Sequence, residues 1–271
     1  MRYKAVVVAG AFTSVLTASA FGADLPTRKA PPAPIPVALP YNWTGCYIGG
    51  NLGGLWADKS FGSQNFGNSE NGPNLADGQT INGTGVLVGG QVGCNYQVGQ
   101  WVFGGQVDED WTNTSGSGSQ SFGFVPLLGA APAAAVNSAQ TLNSYFLTNH
   151  FQVNSLGSAT ARVGWAFDRF LPYIKGGVAW ETVNYSENLS YGLSSGWNQS
   201  WGDTLVGWTA GGGFEYAFTD HLTGFAEGDY YDFGSKDLNG CVFSSSCSFN
   251  TFSRSVKETD WVGKVGLNWK F

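Results

Sequence analysis

Charged and amide side chains alternate with apolar ones in several segments of this chain, and this spacing limits the chemistry they can perform. Between Val107 and Trp111, for example, Asp108 and Asp110 stand at alternate positions. Because successive side chains of a β-strand point to opposite faces, such residues would share one face. Strand parity assigns ten residues to a common inward face, where charges must be paired or hydrated. These are Gln106, Asp108, Asp110, Arg162, Lys175, Glu181, Glu215, Glu227, Asp229 and Lys264.

Two uses of these inward residues are open. In the first, they pack together as an ionic network that fills the space enclosed by the strands. Arg162 is then expected to be held by acids of neighbouring strands, with Asp108 and Glu181 as the predicted partners, since a carboxylate satisfies guanidinium donors. In the second, the excess of acids over bases lines a narrow passage that prefers cations.

Catalytic chemistry has few candidates, because the chain holds only two histidines, His150 and His221. Acid–base and nucleophilic catalysis most often depend on a positioned histidine. His221 falls in a short connection and His150 in a long one, and neither stands in a cluster of His, Cys and carboxylates with metal-ligand spacing. The sequence therefore predicts no catalytic residue, no metal site and no cofactor.

The four cysteines predict two disulfides if the chain is exported. Cys241 and Cys247 would close a short loop. Cys46 and Cys94 share an outward face and a similar depth on neighbouring strands, which could bring them within bonding distance. Two free thiols are the alternative for Cys46 and Cys94.

The start of the chain has the features of a secretory signal peptide. Arg2 and Lys4 precede the apolar run Ala5–Leu16, and small residues follow. The run is too short for a membrane-spanning helix, which needs about 20 apolar residues. We therefore expect a signal peptide over 1–22, cleaved somewhere within 20–23.

A proline-rich spacer over 23–41 precedes the main domain, which is expected over 42–271. Its prolines favour extended, polyproline-like geometry. The spacer is either a solvated tether or, through Arg28 and Lys29, a contact with an anionic periplasmic surface such as the cell wall.

Eight later segments have strand character, and each could span a membrane as a tilted strand of about 9–11 residues. They are Trp43–Trp56, Gly83–Tyr96, Trp101–Trp111, Ser155–Phe167, Leu171–Tyr185, Thr204–Phe218, Leu222–Phe233 and Val256–Phe271.

The gaps between these segments alternate between long and short. The short ones are 97–100, 168–170 and 219–221, and the long ones are 57–82, 112–154, 186–203 and 234–255. Short periplasmic turns and long extracellular loops are typical of outer-membrane barrels, and aromatic residues near both ends of the strands agree with two membrane interfaces. The predicted fold is all-β, an eight-stranded antiparallel up-and-down transmembrane β-barrel.

Several motifs resemble those of the small alphaproteobacterial outer-membrane proteins of the RopB-like group. They are Asn42–Asn51, Gly89–Tyr96, Leu171–Ala179 and Tyr230–Gly234. The resemblance implies an eight-stranded barrel with a surface-structural role. It also implies insertion by the barrel-assembly machinery, guided by the terminal Phe271 with Trp269 and Leu267 on the same face.

The expected function is that of a structural protein of the cell outer membrane that stabilises the envelope and presents loops for interaction. Its expected partners are outer-membrane lipid, lipopolysaccharide and an unknown extracellular ligand. The net charge of −6 and the lack of a basic patch argue against nucleic-acid binding. A narrow passive porin-like channel and a lipid-modifying barrel enzyme are the alternatives.

Overall fold

A computed structural model describes residues 40–66, 74–76, 78–123, 144–191, 194–241 and 251–271. The predicted signal peptide and nearly all of the predicted spacer lie outside these residues. The strands in the described part of the chain are β1 (Gly45–Phe61), β2 (Gln64–Phe66), β3 (Asn74–Ala76), β4 (Gln79–Val98), β5 (Trp101–Gly123), β6 (Ser144–Trp165), β7 (Phe170–Tyr191), β8 (Ser194–Ala217), β9 (Leu222–Cys241) and β10 (Thr251–Lys270).

The eight long strands form a closed ring in which each pairs antiparallel with its neighbours along the chain. The ring closes where β1 pairs with β10, placing Trp56 opposite Trp261. The short strands β2 and β3 pair with each other, and β2 extends the pairing from the outer end of β10. No helix among the described residues is long and apolar enough to cross a membrane. The predicted eight-stranded up-and-down barrel is confirmed.

The predicted strand bounds are too short on the outer side. The segment 112–154, predicted as one loop, contains the end of β5 to Gly123 and the start of β6 from Ser144. Strand β7 likewise continues to Tyr191, and β8 begins at Ser194. Apolar alternation stops where the outward face leaves the membrane, but backbone pairing does not need apolar outward residues. The barrel wall therefore extends beyond the membrane on the outer side.

Outward side chains form an apolar belt bounded by aromatic residues. Val107, Ile174 and Val265 lie within the belt and are exposed. Near the short turns, the exposed aromatic residues are Trp101, Phe167, Phe170, Tyr216, Phe218, Trp269 and Phe271. At the opposite edge they are Trp56, Trp111, Trp208 and Trp261. Two aromatic bands around an apolar zone are the signature of a barrel that spans the outer membrane.

Inward side chains pack the barrel in layers. The outer half contains a large apolar cluster that includes Leu55, Phe151 and Leu156, each with no exposed surface. The middle holds charged and amide residues. A second apolar cluster closes the periplasmic end, around Trp43 and Leu171. Eight strands enclose a space just wide enough for side chains to fill, and here they fill it.

Candidate functional site

The centre of the barrel holds a network of charges organised around two lysines. The Lys264 amine lies 3.1 Å from a carboxylate oxygen of Asp108 and 3.1 Å from one of Asp110. The Lys175 amine lies 2.9 Å from Glu227 and 2.9 Å from Asp229. The two halves are joined because Lys264 also lies 3.4 Å from Glu227. All of these side chains are buried.

Arg162 occupies a separate position nearer the periplasmic end. Its Nη2 donates to Glu215 at 3.1 Å and its Nε donates to Asn95 at 2.9 Å. The guanidinium carbon lies 4.9 Å from the ring centre of Tyr47 and 5.0 Å from that of Tyr173. A delocalised cation between two aromatic faces is favourable, and more so away from water.

The predicted partners of Arg162 are wrong. The strand register places Arg162 opposite Gly104 and Lys175. Asp108 is four residues beyond Gly104 on β5, and Glu181 is six residues beyond Lys175 on β7. Both acids therefore lie higher in the barrel, where other cations hold them, and Glu215 reaches Arg162 from β8.

A second charge cluster lies at and above the outer aromatic band. The Lys59 amine is 2.8 Å from Glu181, 2.8 Å from Glu258 and 3.4 Å from Asp260, and all four side chains are buried. The amine is therefore surrounded by three carboxylates within ion-pair distance.

Sequence reasoning missed most of this outer cluster. The predicted first strand ends at Trp56, so the prediction assigns Lys59 to the loop that follows it. The signal was present, because Leu55, Ala57, Lys59 and Phe61 continue the inward parity of β1 without a break. Above this level, Arg254 donates to Glu187 at 3.2 Å and to Asn149 at 3.0 Å.

All ten residues assigned inward by parity are buried in the structure: Gln106, Asp108, Asp110, Arg162, Lys175, Glu181, Glu215, Glu227, Asp229 and Lys264. Among the described residues, nine acids and five Lys or Arg side chains are buried. The interior is therefore acidic as well as filled. The described part of the chain contains no group of His, Cys, Asp and Glu able to hold a metal ion.

Three residues just before β1 cover the periplasmic mouth of the barrel, and we call Tyr41, Asn42 and Trp43 the aromatic latch. The Tyr41 amide donates to Oδ1 of Asp168 at 2.8 Å, and the Trp43 indole donates to the carbonyl of Asp168 at 2.9 Å. The Trp43 amide donates to Gln97 at 2.7 Å. Only 1% of Trp43 is exposed.

The aromatic latch connects elements that are distant in the sequence. Asp168 belongs to the turn between β6 and β7, and its left-handed φ of 53° suits a short polar residue. Gln97 is the residue before the last of β4, and Lys270 of β10 donates to the carbonyl of Asn42. Lys270 and Arg169 flank the Tyr41 ring at 4.5 and 5.5 Å. The latch thus ties the start of the barrel to its end and to the turns between.

A disulfide joins Cys46 of β1 and Cys94 of β4, which are register partners with a Cα separation of 3.9 Å. It is the pair predicted from shared face and depth. Beside it, the amide of Phe271 donates to the carbonyl of Cys46 at 3.0 Å, so the last residue completes the seam of the barrel. The other predicted pair, Cys241 and Cys247, cannot be assessed, since Cys247 lies outside the described residues.

The two histidines lie outside the barrel interior. His221, in the turn after β8, stacks on Trp269 with ring centres 5.6 Å apart, and its Nδ1 lies 2.9 Å from the carbonyl of Lys270. His150 lies on the outward side of β6, above the membrane. Leu267 and Trp269 are exposed on the lipid-facing surface of β10.

A closed antiparallel ring, an apolar belt and two aromatic bands define an outer-membrane β-barrel protein. The family model described as the outer membrane protein beta-barrel domain matches residues 29–271. The chain belongs to this family.

Its relatives include the 31 kDa outer-membrane immunogenic protein of Brucella melitensis, 28% identical over 274 residues covering 99% of this chain and 100% of that protein. The 25 kDa outer-membrane immunogenic protein of the same organism is 26% identical over 99% of this chain and 98% of its own. The resemblance to small outer-membrane surface proteins is confirmed, as is the outer-membrane location.

The chain is also similar to two solved structures of outer-membrane proteins. The outer membrane protein OprG of Pseudomonas aeruginosa is 14% identical, with 85% of this chain and 98% of that chain covered at a TM-score of 0.41. Ail of Yersinia pestis is 12% identical, with 84% and 99% covered at a TM-score of 0.32.

Proposed function

We propose that this protein is a sealed structural barrel of the outer membrane that stabilises the envelope and holds its loops above the cell surface. The observation that carries the proposal is the filled interior. Buried apolar residues and a second cluster of paired charges occupy the outer half, further paired charges the middle, and the aromatic latch the periplasmic mouth. A closed interior suits a mechanical role better than transport.

The length of the wall supports a role at the surface. Strand β8 has 24 residues and β5 has 23, whereas a tilted spanning strand needs about 9–11. The extra residues raise the connections between strands away from the lipid. Two relatives are named as immunogenic outer-membrane proteins, which agrees with exposed loops.

A deletion strain tests the envelope role. Loss of the protein should increase sensitivity to detergent and to chelators that loosen the outer membrane. Wild-type protein should restore resistance, and so should a variant in which residues 124–143 are replaced by a short Gly-Ser linker. If the linker variant fails although it reaches the membrane, the loop rather than the barrel carries the function.

A narrow cation channel is the second candidate, and the excess of nine buried acids over five buried bases favours it. Planar-bilayer recording separates the two candidates. We expect no stable conductance steps from the wild-type protein, because buried side chains pack the described part of the barrel interior. Reproducible cation-selective steps from folded protein would replace the structural proposal with the channel.

We further propose that the protein is not an enzyme. His150 and His221 lie outside the barrel interior and so are separated from its buried carboxylates. Lipid, lipopolysaccharide and the barrel-assembly machinery are the proposed partners of the barrel, and the cell wall is a proposed partner of the spacer.

A further inference from the structure

Among the described residues, one half of the outer surface of the barrel wall above the membrane carries no outward Asp, Glu, Lys or Arg side chain. We use the term neutral face for the outward side chains of four segments, which are 115–119 on β5, 148–152 on β6, 184–188 on β7 and 198–202 on β8. The strand register aligns these segments in rows. One row is Ser119, Thr148, Asn188 and Asn198, and the next is Ser117, His150, Ser186 and Ser200.

The rest of the wall differs in composition at a similar height. Outward residues there include Asp58 on β1, Asp237 on β9 and Lys257 on β10. A surface that only has to be hydrated does not need to keep charged residues apart from neutral ones, and the surfaces of soluble proteins mix charges of both signs. The neutral face instead offers hydroxyl and amide groups in a regular array on a rigid sheet.

The neutral face lies just beyond the outer aromatic band. Asn184 and Asn188 are four and eight residues beyond Trp180 on β7. With about 3.3 Å per residue and a tilt of about 45°, they stand roughly 10–20 Å above that ring. The lipid of the outer leaflet of this membrane carries its sugars at this height.

We propose that the neutral face binds the core oligosaccharide of the lipopolysaccharide that surrounds the barrel. Sugar hydroxyls are neutral donors and acceptors, so they pair with Asn, Ser and Thr groups without the cost of burying a charge. Phe146, 47% exposed and outward beside the top row, offers an apolar ring on which a sugar ring can pack.

Part of the array is already ordered by internal hydrogen bonds. The hydroxyls of Ser119 and Thr148 lie 2.9 Å apart, and Gln152 donates to Asn113 at 2.7 Å. Fixed side chains lose less entropy on binding than mobile ones. This inference rests on the proposed surface role and deepens it, because a barrel that holds neighbouring glycolipid would stiffen the outer leaflet.

The test uses the folded full-length protein in detergent and core oligosaccharide released from lipopolysaccharide and stripped of phosphate. The variant Asn184→Ala/Asn188→Ala/Asn198→Ala removes three exposed amides. The matched control is Ser60→Ala/Ser255→Ala/Thr259→Ala, which changes outward neutral residues on β1 and β10, in the other half of the wall. Binding is measured by ligand-observed NMR, and Phe146→Ala provides a second, independent change on the neutral face.

We expect wild type and control to bind equally, and the triple amide variant to bind about tenfold or more weakly, as the loss of several hydrogen bonds predicts. Phe146→Ala should also weaken binding. Equal binding by all variants would overturn the proposal. Binding of intact lipopolysaccharide but not of the phosphate-free sugar would also overturn it, because phosphate would then be the ligand.

Envelope assays keep the two proposals apart. If the deletion strain is as resistant as wild type while the amide variant loses sugar binding, the structural function fails and the glycan site stands. If deletion weakens the envelope but the amide variant both binds sugar normally and restores resistance, the glycan site fails alone.

Discussion

Arg162 lies between the rings of Tyr47 and Tyr173 and donates to Glu215 and Asn95, so its guanidinium is held on several sides. Residues of this kind make the barrel interior sensitive to single substitutions. An ion pair in a dry interior contributes less than its Coulomb attraction suggests, but removal of one partner leaves a buried charge without compensation.

Replacement of Arg162 by Leu should therefore destabilise the barrel by about 3–5 kcal/mol, because Glu215 loses its cation. Urea unfolding in detergent measures this difference through the shift of the midpoint. The control is Val163→Leu, which changes the next residue on the outward face and should alter stability little. Equal midpoints for the two variants would contradict the assignment of Arg162 to the interior network.

Trp43 shows how the short segment before β1 acts as an element of the fold. It is almost fully buried at the periplasmic mouth and donates through its indole to the turn between β6 and β7. Large buried aromatic residues contribute several kcal/mol to stability, since truncation leaves a cavity and removes packing.

Trp43→Ala should lower stability by about 3–5 kcal/mol and open the periplasmic mouth to water. The lipid-facing Trp56→Ala is a matched control that removes the same ring from an exposed position. Thermal unfolding measures the first effect, and cysteine labelling of a Leu171→Cys variant measures the second. The labelling rate of Leu171→Cys is compared with and without the Trp43→Ala change. If the two rates are equal, the aromatic latch does not seal the periplasmic mouth.

The last residue of β10 completes the seam at the same end of the molecule. Phe271 is 72% exposed to lipid, while its backbone amide pairs with Cys46 on β1. Deletion of Phe271 should reduce the amount of folded protein in the outer membrane and leave export to the periplasm intact. Heat-modifiable migration on gels detects the folded barrel. Phe271→Tyr preserves an aromatic end and should assemble normally, whereas normal assembly of the deletion would exclude Phe271 as the signal.

At the scale of the whole molecule, the orientation follows from the unequal ends of the barrel. The turns between β4 and β5, β6 and β7, and β8 and β9 are short and lie with the aromatic latch, whereas long walls rise from the other edge. Protease added to intact cells should cut within residues 124–143 and spare the strand residues up to Gly123. Mass spectrometry of the fragments locates the cut. Cleavage at the short turns before the membrane is permeabilised would reverse the topology.

The class of fold and the faces of the strands follow from the sequence alone. Alternation is a local property with a period of two residues, so the ten inward polar residues and the outward aromatic residues follow from parity once a strand is recognised. The alternation of long and short gaps then implied an up-and-down barrel, and the Cys46–Cys94 pair followed from a shared face on neighbouring strands.

Which residues meet across the interior depends on the tertiary structure. Pairing of Arg162 with Glu215 rather than Asp108 depends on strand register and on side chains that cross the lumen, and neither has a local signature in the sequence. The inward parity of Lys59 can be read from the sequence, but its carboxylate partners come from β7 and β10 and meet it only in the closed ring. The aromatic latch precedes β1 and has no strand pattern of its own, so its burial depends on the completed wall around it.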